Sequence, residues 1–290
     1  STYETILPKD AGYLILPFHF HHVGTTNLTR TFTQTPFVPQ NKADRDRRCN
    51  EILNIQALGL KKRLAHTHCT SAVVGISGGL DSTLAFLVTV RAFEKLNLDN
   101  KNIIGITMPG FGTTDRTYNN SIKLVESYNA TLKEINIKEA CTIHMKDIGL
   151  NPNDRSITYE NIQARERTQI LMDVANMEKG IVIGTGDLSE LALGWCTYNG
   201  DHMSMYSVNS SIPKTLIRYL VNWFMDNEKG IRHDVLKDIL STPFFFLAII
   251  GTTVTPSSFE RLSESIYIPL DSATSNMLSK ITMGLLNSIS

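Results

Sequence analysis

A β-branched run that ends in a Ser-Gly-Gly turn and leads at once into an apolar helical stretch most constrains the fold of this chain. The run occupies residues 72–76, the turn is residues 77–79, and the helical stretch covers residues 82–95. Two adjacent glycines let the backbone turn tightly with its N–H groups exposed. The first turn of the helix adds unpaired N–H groups and the positive end of the helix dipole. The pattern therefore predicts a strand-turn-helix unit that binds phosphate.

Asp81 and the two nearby serines indicate which anion the turn would bind. Ser77 and Ser82 add hydroxyl donors, but a carboxylate at Asp81 does not suit a pure anion site. It suits a site where a divalent cation also lies on the phosphates, so we expect a nucleotide polyphosphate with Mg²⁺. The segment is not a P-loop, because no lysine follows Gly78 or Gly79, and it lacks the G-x-G-x-x-G fingerprint. An ordinary strand-turn-helix connection, which also favours glycine and serine, is the alternative.

Short β-branched runs alternate with helical stretches along most of the chain. The predicted strands are residues 72–76, 103–108, 132–137 and 181–184. The predicted helices that follow the first strand are residues 82–95, 115–128, 160–178, 189–194 and 214–227. A further helical pattern starts near Asp44 and places Ile52, Ile55 and residues 58–60 on one side. The alternation predicts an α/β fold, a doubly wound parallel sheet that binds ligands at the carboxyl ends of its strands.

Composition limits the partners and the compartment. Lysine plus arginine and aspartate plus glutamate number 28 each, so no net charge favours nucleic acid or an anionic membrane. Four scattered cysteines without a C-x-x-C pair indicate reduced thiols, and the most apolar run, residues 244–250, is too short to span a bilayer. We therefore expect a cytoplasmic protein with an arm or linker at residues 1–40, one main domain at residues 41–240 and a divergent tail at residues 241–290.

A second glycine turn follows the predicted strand that ends at Gly184. The turn leads into a helix with Glu190 in its first turn. Asp187 or Ser189 can cap that helix, and helix chemistry tolerates an acid in the first turn. Capping does not explain why two glycine turns at one edge of a sheet each have a carboxylate nearby. If the strand order brings the turns together, Asp81 and Glu190 can share one Mg²⁺.

These motifs resemble known families at two levels. The Ser-Gly-Gly-x-Asp-Ser loop resembles the pyrophosphate loop of the N-type ATP pyrophosphatases, which implies an adenine-nucleotide alpha-hydrolase-like fold. Five segments are similar to the NAD synthetases, particularly the synthetase domain of the glutamine-dependent branch: residues 54–56, 108–114, 159–165, 184–201 and 209–216. GMP synthetase, asparagine synthetase and tRNA-modifying enzymes share the loop but not residues 195–201. The resemblance implies an NAD synthetase domain over residues 41–240.

The resemblance also implies a role for each matched residue. The residues that would bind ATP are Gly75, Ile76, Ser77, Gly78, Gly79, Leu80, Asp81, Ser82, Thr185 and Lys214. Asp81 and Glu190 would bind Mg²⁺, and Asp81 and Lys214 would be the catalytic residues. The residues that would hold the nicotinate dinucleotide are Asn161, Arg165, Glu190, Trp195, Cys196, Thr197, Tyr198 and Asp201. A phosphate partner would explain Lys214, a cation poorly placed for the dipole of the helix that it starts, and a solvated lysine is the alternative.

The reaction that the resemblance implies is ATP-dependent amide formation. The carboxylate of deamido-NAD would attack the α-phosphorus of ATP with loss of pyrophosphate, and ammonia would then displace AMP to give NAD. The partners would be ATP, deamido-NAD and ammonia, and the resemblance also implies a homodimer. Such a site works through positioning and charge stabilisation. Cys196 has no histidine within its motif and is not expected to act as a nucleophile.

Two features depart from the glutamine-dependent branch. Those enzymes carry a glutaminase domain ahead of the synthetase, whereas fewer than 40 residues precede the match here. We therefore expect free ammonia, a separate glutaminase or a fragment of a longer protein. In addition, residues 244–290 do not align with the family. A degenerate ATP-binding subunit without turnover and a different ATP pyrophosphatase amidotransferase stay open as alternatives.

Overall fold

The computed structural model describes residues 35, 37–194, 197 and 199–242. The helices are α1 (Lys42–Thr67), α2 (Leu80–Glu94), α3 (Asp115–Ser127), α4 (Lys138–Asp147), α5 (Ile157–Met177), α6 (Leu188–Leu193), α7 (Lys214–Asn227) and α8 (Ile231–Ser241), with a 3₁₀ turn at Asn100–Asn102. The strands are β1 (Ala72–Gly75), β2 (Ile103–Thr107), β3 (Thr131–Glu134), β4 (Ile181–Gly184) and β5 (Tyr206–Ser207). Most of the predicted arm and nearly all of the predicted tail lie outside the described residues. No helix within the described ranges is long and apolar enough to cross a membrane.

All five strands are parallel and follow the order β3-β2-β1-β4-β5. In the register of the centre, Val73 pairs with Ile104 on one side and with Val182 on the other. The chain leaves β1 towards β2 and returns to β4 on the opposite side, so the direction of strand addition reverses between β1 and β4. The carboxyl ends of β1 and β4 therefore flank a crevice where ligands bind in open α/β sheets.

Helices cover both faces of this sheet, as the doubly wound prediction requires. One apolar cluster joins α1, α2, α7 and α8 to side chains such as Val74, and the other joins α4 and α5 to side chains such as Val73. Adjacent strand residues enter opposite clusters because side chains alternate across a strand. Apart from Thr107, strands β2 and β4 contain only apolar residues and glycine, because they are buried on both faces. The predicted parallel α/β architecture is confirmed.

The predicted buried side of α1 is wrong. Its buried residues are Cys49, Leu53, Gln56, Ala57, Leu60 and Leu64. Ile55 is 71% exposed and Leu58 is 50% exposed. The helix packs on α2 and α7 through the side that carries Leu53, and Ile55 lies about 200° further around the helix. Only Leu60 of the predicted apolar side is fully buried.

Helices α4 and α8 and strand β5 are not among the elements predicted from the alternating pattern, and one predicted strand is displaced. The predicted strand at residues 132–137 is shorter and starts earlier, at Thr131–Glu134. Beyond its end, the Asn136 side chain accepts a hydrogen bond from the Lys138 N–H, so the chain turns there into α4. Helix α4 buries only Cys141, so it has no apolar stripe to recognise. Strand β5 has two residues, too few to show a period of two.

An ion pair connects the first turn of α3 to α8. Arg116 donates through Nη2 to Asp238 Oδ1 at 2.7 Å and through Nε to Asp238 Oδ2 at 3.0 Å. Asn120, one turn further along α3, donates to the same carboxylate at 2.6 Å. The contact matters for the crevice because the backbone of Thr117, next to Arg116, lies directly against Gly78 of the glycine turn after β1.

Candidate nucleotide-binding site

The turn after β1 leaves the amino end of α2 open. Gly78 has φ +78°, and a Cβ there would overlap the carbonyl oxygen of Thr117, so only glycine fits without strain. Gly79 is the N-cap of α2, and no side chain caps the helix there. The N–H groups of the first turn of α2 therefore point into the crevice without a capping partner, as an anion-binding helix start requires.

The serines of this turn brace it from within. Ser77 Oγ and Ser82 Oγ lie 3.0 Å apart, and the N–H of Ser77 donates to Ser82 Oγ at 3.2 Å. Ser82 is buried, and its hydroxyl donates to the Gly79 carbonyl at 3.1 Å. The Gly79 N–H in turn donates to Ser77 Oγ at 3.3 Å. The sequence suggested both hydroxyls as phosphate donors, whereas in the structure the Ser82 hydroxyl holds the shape of the turn.

The turn after β4 is closed by a capping box. The Asp187 carboxylate accepts from the Glu190 N–H at 2.9 Å, and Glu190 Oε2 accepts from the Asp187 N–H at 3.1 Å. Asp187 is therefore the cap of α6 that the sequence left open between Asp187 and Ser189. The Ser189 hydroxyl accepts instead from the backbone N–H of Lys214 at 3.0 Å, which joins the start of α6 to the start of α7.

Lys214 brings together the carboxylates of both turns. Its Nζ lies 2.6 Å from Asp81 Oδ2, 3.0 Å from Asp187 Oδ2 and 3.8 Å from Glu190 Oε1. The Lys214 side chain is 16% exposed and the Asp187 side chain is fully buried. A solvated lysine, the alternative considered for Lys214, is therefore wrong. The predicted approach of Asp81 and Glu190 occurs across the β1–β4 crevice, with one ammonium group between them.

Burial and charge shift the pKa values of Asp81, Glu190 and Lys214. Burial raises the pKa of Asp81 above its ordinary value by more than Lys214 lowers it. The pKa of Glu190 is raised for the same two opposing reasons. Burial lowers the pKa of Lys214, but Asp81 and Asp187 raise it by more, so the amine is held in its charged form. Three carboxyl groups and one ammonium group share a poorly hydrated site, so an additional positive charge there would be stabilised.

The donor set fits Mg²⁺. Asp81 Oδ1 is buried and has no hydrogen-bond partner among the described residues, although a buried carboxylate oxygen normally has one. Carboxylate oxygens are the ligands that Mg²⁺ prefers, and it usually takes only one or two from the protein while phosphates and water complete the shell.

A cavity of about 900 Å³ lies at the carboxyl edge of the sheet. The predicted site residues that line it are Gly75, Ile76, Ser77, Asp81, Ser82, Thr185, Glu190, Thr197 and Asp201. Its lining does not include the half-buried Asn161 and Arg165. The predicted dinucleotide contacts Trp195, Cys196 and Tyr198 lie outside the described residues.

Helix α5 supplies cavity residues that the sequence reasoning missed. They include Tyr159, Gln163 and Arg167. The backbone N–H of Phe111 donates to Gln163 Oε1 at 3.2 Å, and the Phe111 ring lies 5.7 Å from the Tyr159 ring. The loop around Phe111, which we call the lid, is thus attached to α5 at the wall of the cavity. The spacing of four residues between Gln163 and Arg167, which puts both on one side of a helix, is the signal that would have found Arg167.

The family profile and the curated relatives that match this chain agree. The sequence profile of the family described as NAD synthase matches residues 52–237. The glutamine-dependent NAD(+) synthetase of Mycobacterium leprae is 41% identical to this chain over 76% of the chain and 33% of the relative. The chain spans about a third of the length of the first curated relatives that it matches.

Solved structures agree on the fold. A glutamine-dependent NAD+ synthetase from Acinetobacter baumannii, in complex with adenosine diphosphate, superimposes with a TM-score of 0.60 at 20% identity, over 75% of this chain and 44% of that one. An NH3-dependent NAD synthetase from Campylobacter jejuni superimposes with a TM-score of 0.56 at 23% identity, over 80% of this chain and 92% of that one. At these identities the similarity extends to the fold alone, which is the predicted adenine-nucleotide alpha-hydrolase type.

Proposed function

Because this chain belongs to the NAD synthase family, we propose that it amidates deamido-NAD with ammonia at the expense of ATP and releases NAD, AMP and pyrophosphate. The observation that carries the proposal is the meeting of Asp81, Glu190 and Lys214 beside the open amino end of α2. Three elements far apart in sequence place carboxylates and a cation where a helix start can bind phosphate. That combination suits a nucleoside triphosphate with a divalent cation.

The β- and γ-phosphates of ATP would bind at the turn after β1. Its glycines let phosphate oxygens approach the backbone, and the first N–H groups of α2 would donate to them. Lys214 is close enough to Asp81 to move its ammonium group onto a phosphate when ATP enters. Thr185, on the cavity wall after β4, would contact the same nucleotide.

Asp81 and Glu190 would hold Mg²⁺. When bound, the ion would neutralise phosphate charge and favour departure of pyrophosphate. The raised pKa of both carboxyl groups is consistent with a site that gains from a further positive charge. Asp81 offers the buried Oδ1 for this purpose, and Lys214 keeps Oδ2 in place until the nucleotide arrives.

The amidation half needs two substrates aligned rather than a covalent nucleophile on the protein. The carboxylate of deamido-NAD would lie beside the α-phosphorus, next to the Thr197 and Asp201 end of the cavity. After adenylation, ammonia would attack the acyl carbon and AMP would leave. The site contributes orientation and exclusion of water, and the loop anchored by Phe111 to α5 would cover the nucleotide.

We also propose a cytoplasmic homodimer that takes ammonia from solution or from a separate glutaminase. Three free cysteines among the described residues, Cys49, Cys69 and Cys141, agree with a reducing compartment. Sedimentation or light scattering of the purified protein measures the oligomeric state.

The test is NAD formation from deamido-NAD, ATP and Mg²⁺, with ammonium and glutamine supplied in separate reactions and AMP quantified. NAD and AMP in equal amounts with ammonium are the expected result. AMP and pyrophosphate without NAD would mean that adenylation occurs and amidation does not, which would place the defect in the second half of the reaction. ATP binding without any AMP would indicate a nucleotide-binding subunit and would contradict the proposal.

A further inference from the structure

The charges around the cavity are unbalanced. The described residues that line it include four carboxylates, those of Asp81, Glu160, Glu190 and Asp201, while Arg167 is the only lysine or arginine among them. Both proposed substrates are polyanions. An acidic cavity can bind polyanions only at positions where a cationic side chain or a metal ion offsets its negative charge. One such place is the Mg²⁺ and Lys214 region, and the other is Arg167.

Arg167 lies on the far side of β1 from Lys214. Its Nη2 would be 2.8 Å from a Cβ built on Gly110, which follows β2. Lys214 contacts Asp81 after β1 and Asp187 after β4, so its ammonium group lies between the ends of those two strands. Because β2 lies on the other side of β1, between one and two strand spacings of about 5 Å separate Arg167 from Lys214. The guanidinium group therefore lies on the β2 side of the cavity, away from the β1–β4 crevice where Lys214 would meet the ATP phosphates.

The position of Arg167 is fixed by neighbours on the same side of α5. Gln163, one turn earlier, is buried and accepts a hydrogen bond from the lid residue Phe111. Leu171, one turn later, packs over Gly75, where a Cβ would lie 3.1 Å from its Cδ1. Arg167 thus reaches beyond the end of β1 and under the lid. Arg165 is two residues away, about 200° around the helix, and does not share this direction.

The guanidinium group of Arg167 has no ion-pair partner within 4.0 Å among the described residues. Asp201 and Glu160 act on it only at longer range, and burial lowers its pKa without removing the charge. A largely buried cation without a carboxylate partner is costly, and an oxyanion of a ligand would relieve that cost. Its five N–H groups in a planar fork match a carboxylate or a phosphate in a bidentate arrangement.

We propose that Arg167 binds an oxyanion of the dinucleotide substrate, either its carboxylate or its pyrophosphate, and does not contribute to binding of ATP. The assignment rests on the proposed function, because that function supplies the second anionic substrate. It makes Arg167 the residue that places deamido-NAD against the ATP phosphates. The ATP phosphates would remain the task of α2, Lys214 and Mg²⁺.

The test measures binding rather than turnover. Dissociation constants for deamido-NAD, NAD and Mg²⁺–ATP are determined by calorimetry for the wild type, Arg167→Gln, Arg167→Lys and the control Arg63→Gln. Arg63 is an exposed arginine on α1. We expect Arg167→Gln to weaken binding of deamido-NAD about 10- to 100-fold, the usual range for a lost charged hydrogen bond. The dissociation constant for Mg²⁺–ATP should change by less than about twofold. Arg63→Gln should leave all three constants unchanged.

The two dinucleotides distinguish the sources of the oxyanion. NAD carries the same pyrophosphate but an amide in place of the carboxylate. If Arg167→Gln loses affinity for deamido-NAD alone, Arg167 binds the carboxylate. If it loses affinity equally for both dinucleotides, Arg167 binds the pyrophosphate. Arg167→Lys keeps the charge but not the fork, so an intermediate loss is expected, and this variant decides the matter if Arg167→Gln does not fold.

Three results would overturn the assignment: unchanged affinity for deamido-NAD, an equal loss of affinity for ATP, or no binding of deamido-NAD by the wild type. The binding experiment contains no ammonia and therefore does not depend on turnover. If the separate turnover assay forms no NAD, the proposed reaction is wrong, but a measured role of Arg167 in substrate binding still stands.

Discussion

The turns after β1 and β4 have the same construction and opposite chemistry. Each follows a buried parallel strand, contains glycine and starts a helix at the same edge of the sheet. After β1, Gly79 caps α2 without a side chain, so the first N–H groups stay available. After β4, Asp187 and Glu190 form a capping box that occupies the N–H groups of α6. The turn after β1 can therefore bind anions through its N–H groups, whereas the turn after β4 contributes carboxylates.

This difference explains why two adjacent helix starts do not compete for one ligand. The open turn would bind phosphate oxygens, and the closed turn would direct its carboxylates towards a cation that accompanies them. Lys214 lies between the two and keeps Asp81 of the first helix beside Asp187 and Glu190 of the second. The comparison predicts that changes to Lys214, to the glycines and to Asp81 have different consequences for stability and for nucleotide binding.

The largest expected effect on stability comes from Lys214→Met. The change leaves three carboxylates together, one of them fully buried, with no cation between them. Removing one partner of a buried ion pair typically costs about 3–5 kcal/mol, and the partial exposure of Asp81 and Glu190 points to the lower end, about 3 kcal/mol. This loss in the free energy of unfolding should become smaller towards pH 4, because the carboxylates gain protons and repel each other less. Urea unfolding at several pH values measures it.

Lys133→Met is the matched control for Lys214→Met. Lys133 also forms a 2.7 Å ion pair, with Glu178, but both side chains are about a third exposed. Its loss should cost less than about 1 kcal/mol. Equal costs for the two variants would mean that Lys214 does not join the two turns energetically, and the interpretation of the site as one coupled unit would be wrong.

The second prediction compares glycines of the two turns. Gly78→Ala puts a Cβ on a residue at φ +78° and against the Thr117 carbonyl, which should cost about 2–3 kcal/mol and abolish detectable ATP binding. Gly186→Ala meets only the flexible carboxylate of Glu190, at 3.2 Å, and should cost less than about 1 kcal/mol. Denaturation and nucleotide titration of both variants test the contrast. A tolerated Gly78→Ala would contradict the tight contact with α3.

The sequence predicted the open turn better than the coupling between the turns. Strands β1, β2 and β4 are apolar on both faces, so their runs are evident in the sequence, and the glycines mark the turn directly. The contact between Lys214 and Asp81 joins residues 133 positions apart, and no local pattern specifies it. The sequence indicated a phosphate partner for Lys214 but not the three carboxylates around it.

Residues on α5 show a second limit of sequence reasoning. The resemblance directed attention to Asn161 and Arg165, whereas the described cavity is lined by Gln163 and Arg167. Which side of a helix faces a cavity depends on how the helix packs on the sheet. For α5 that packing is visible only in contacts such as Leu171 over Gly75. The roles of Asn161 and Arg165 stay predictions.

Asp81→Asn should separate stability from function. Since the pKa of Asp81 is raised above 3.8 in the folded protein, its favourable contribution is complete below that pH and is lost as the pH rises through the folded pKa. The amide cannot ionise, so the variant should have a higher free energy of unfolding and a higher Tm than the wild type at pH 7, and it should lose this advantage below pH 3.8. Mg²⁺-dependent ATP binding should disappear.

Exposed Asp147 on α4 provides the control for this change, because Asp147→Asn should alter neither Tm nor nucleotide binding. Thermal unfolding across pH with and without Mg²⁺–ATP measures both properties. A less stable Asp81→Asn at pH 7 would mean that the ion pair with Lys214 outweighs the burial of the carboxylate. Retained Mg²⁺-dependent binding would remove Asp81 from the proposed metal site.

The smallest expected effect on stability tests the openness of the first turn most directly. Gly79→Ser gives α2 a side-chain cap like the one that α6 already has, and the hydroxyl would accept from the N–H of Asp81 or Ser82. Serine exceeds glycine as a cap by only about 0.3 kcal/mol, yet the occupied N–H groups should weaken Mg²⁺–ATP binding about three- to tenfold. Gly79→Ala adds the same Cβ, 3.3 Å from Ser77 Oγ, without a hydroxyl and separates crowding from capping. If Gly79→Ser alone loses affinity, the helix start binds the phosphates. If both variants bind like the wild type, the phosphates bind elsewhere and the two turns do not differ in the way their caps indicate.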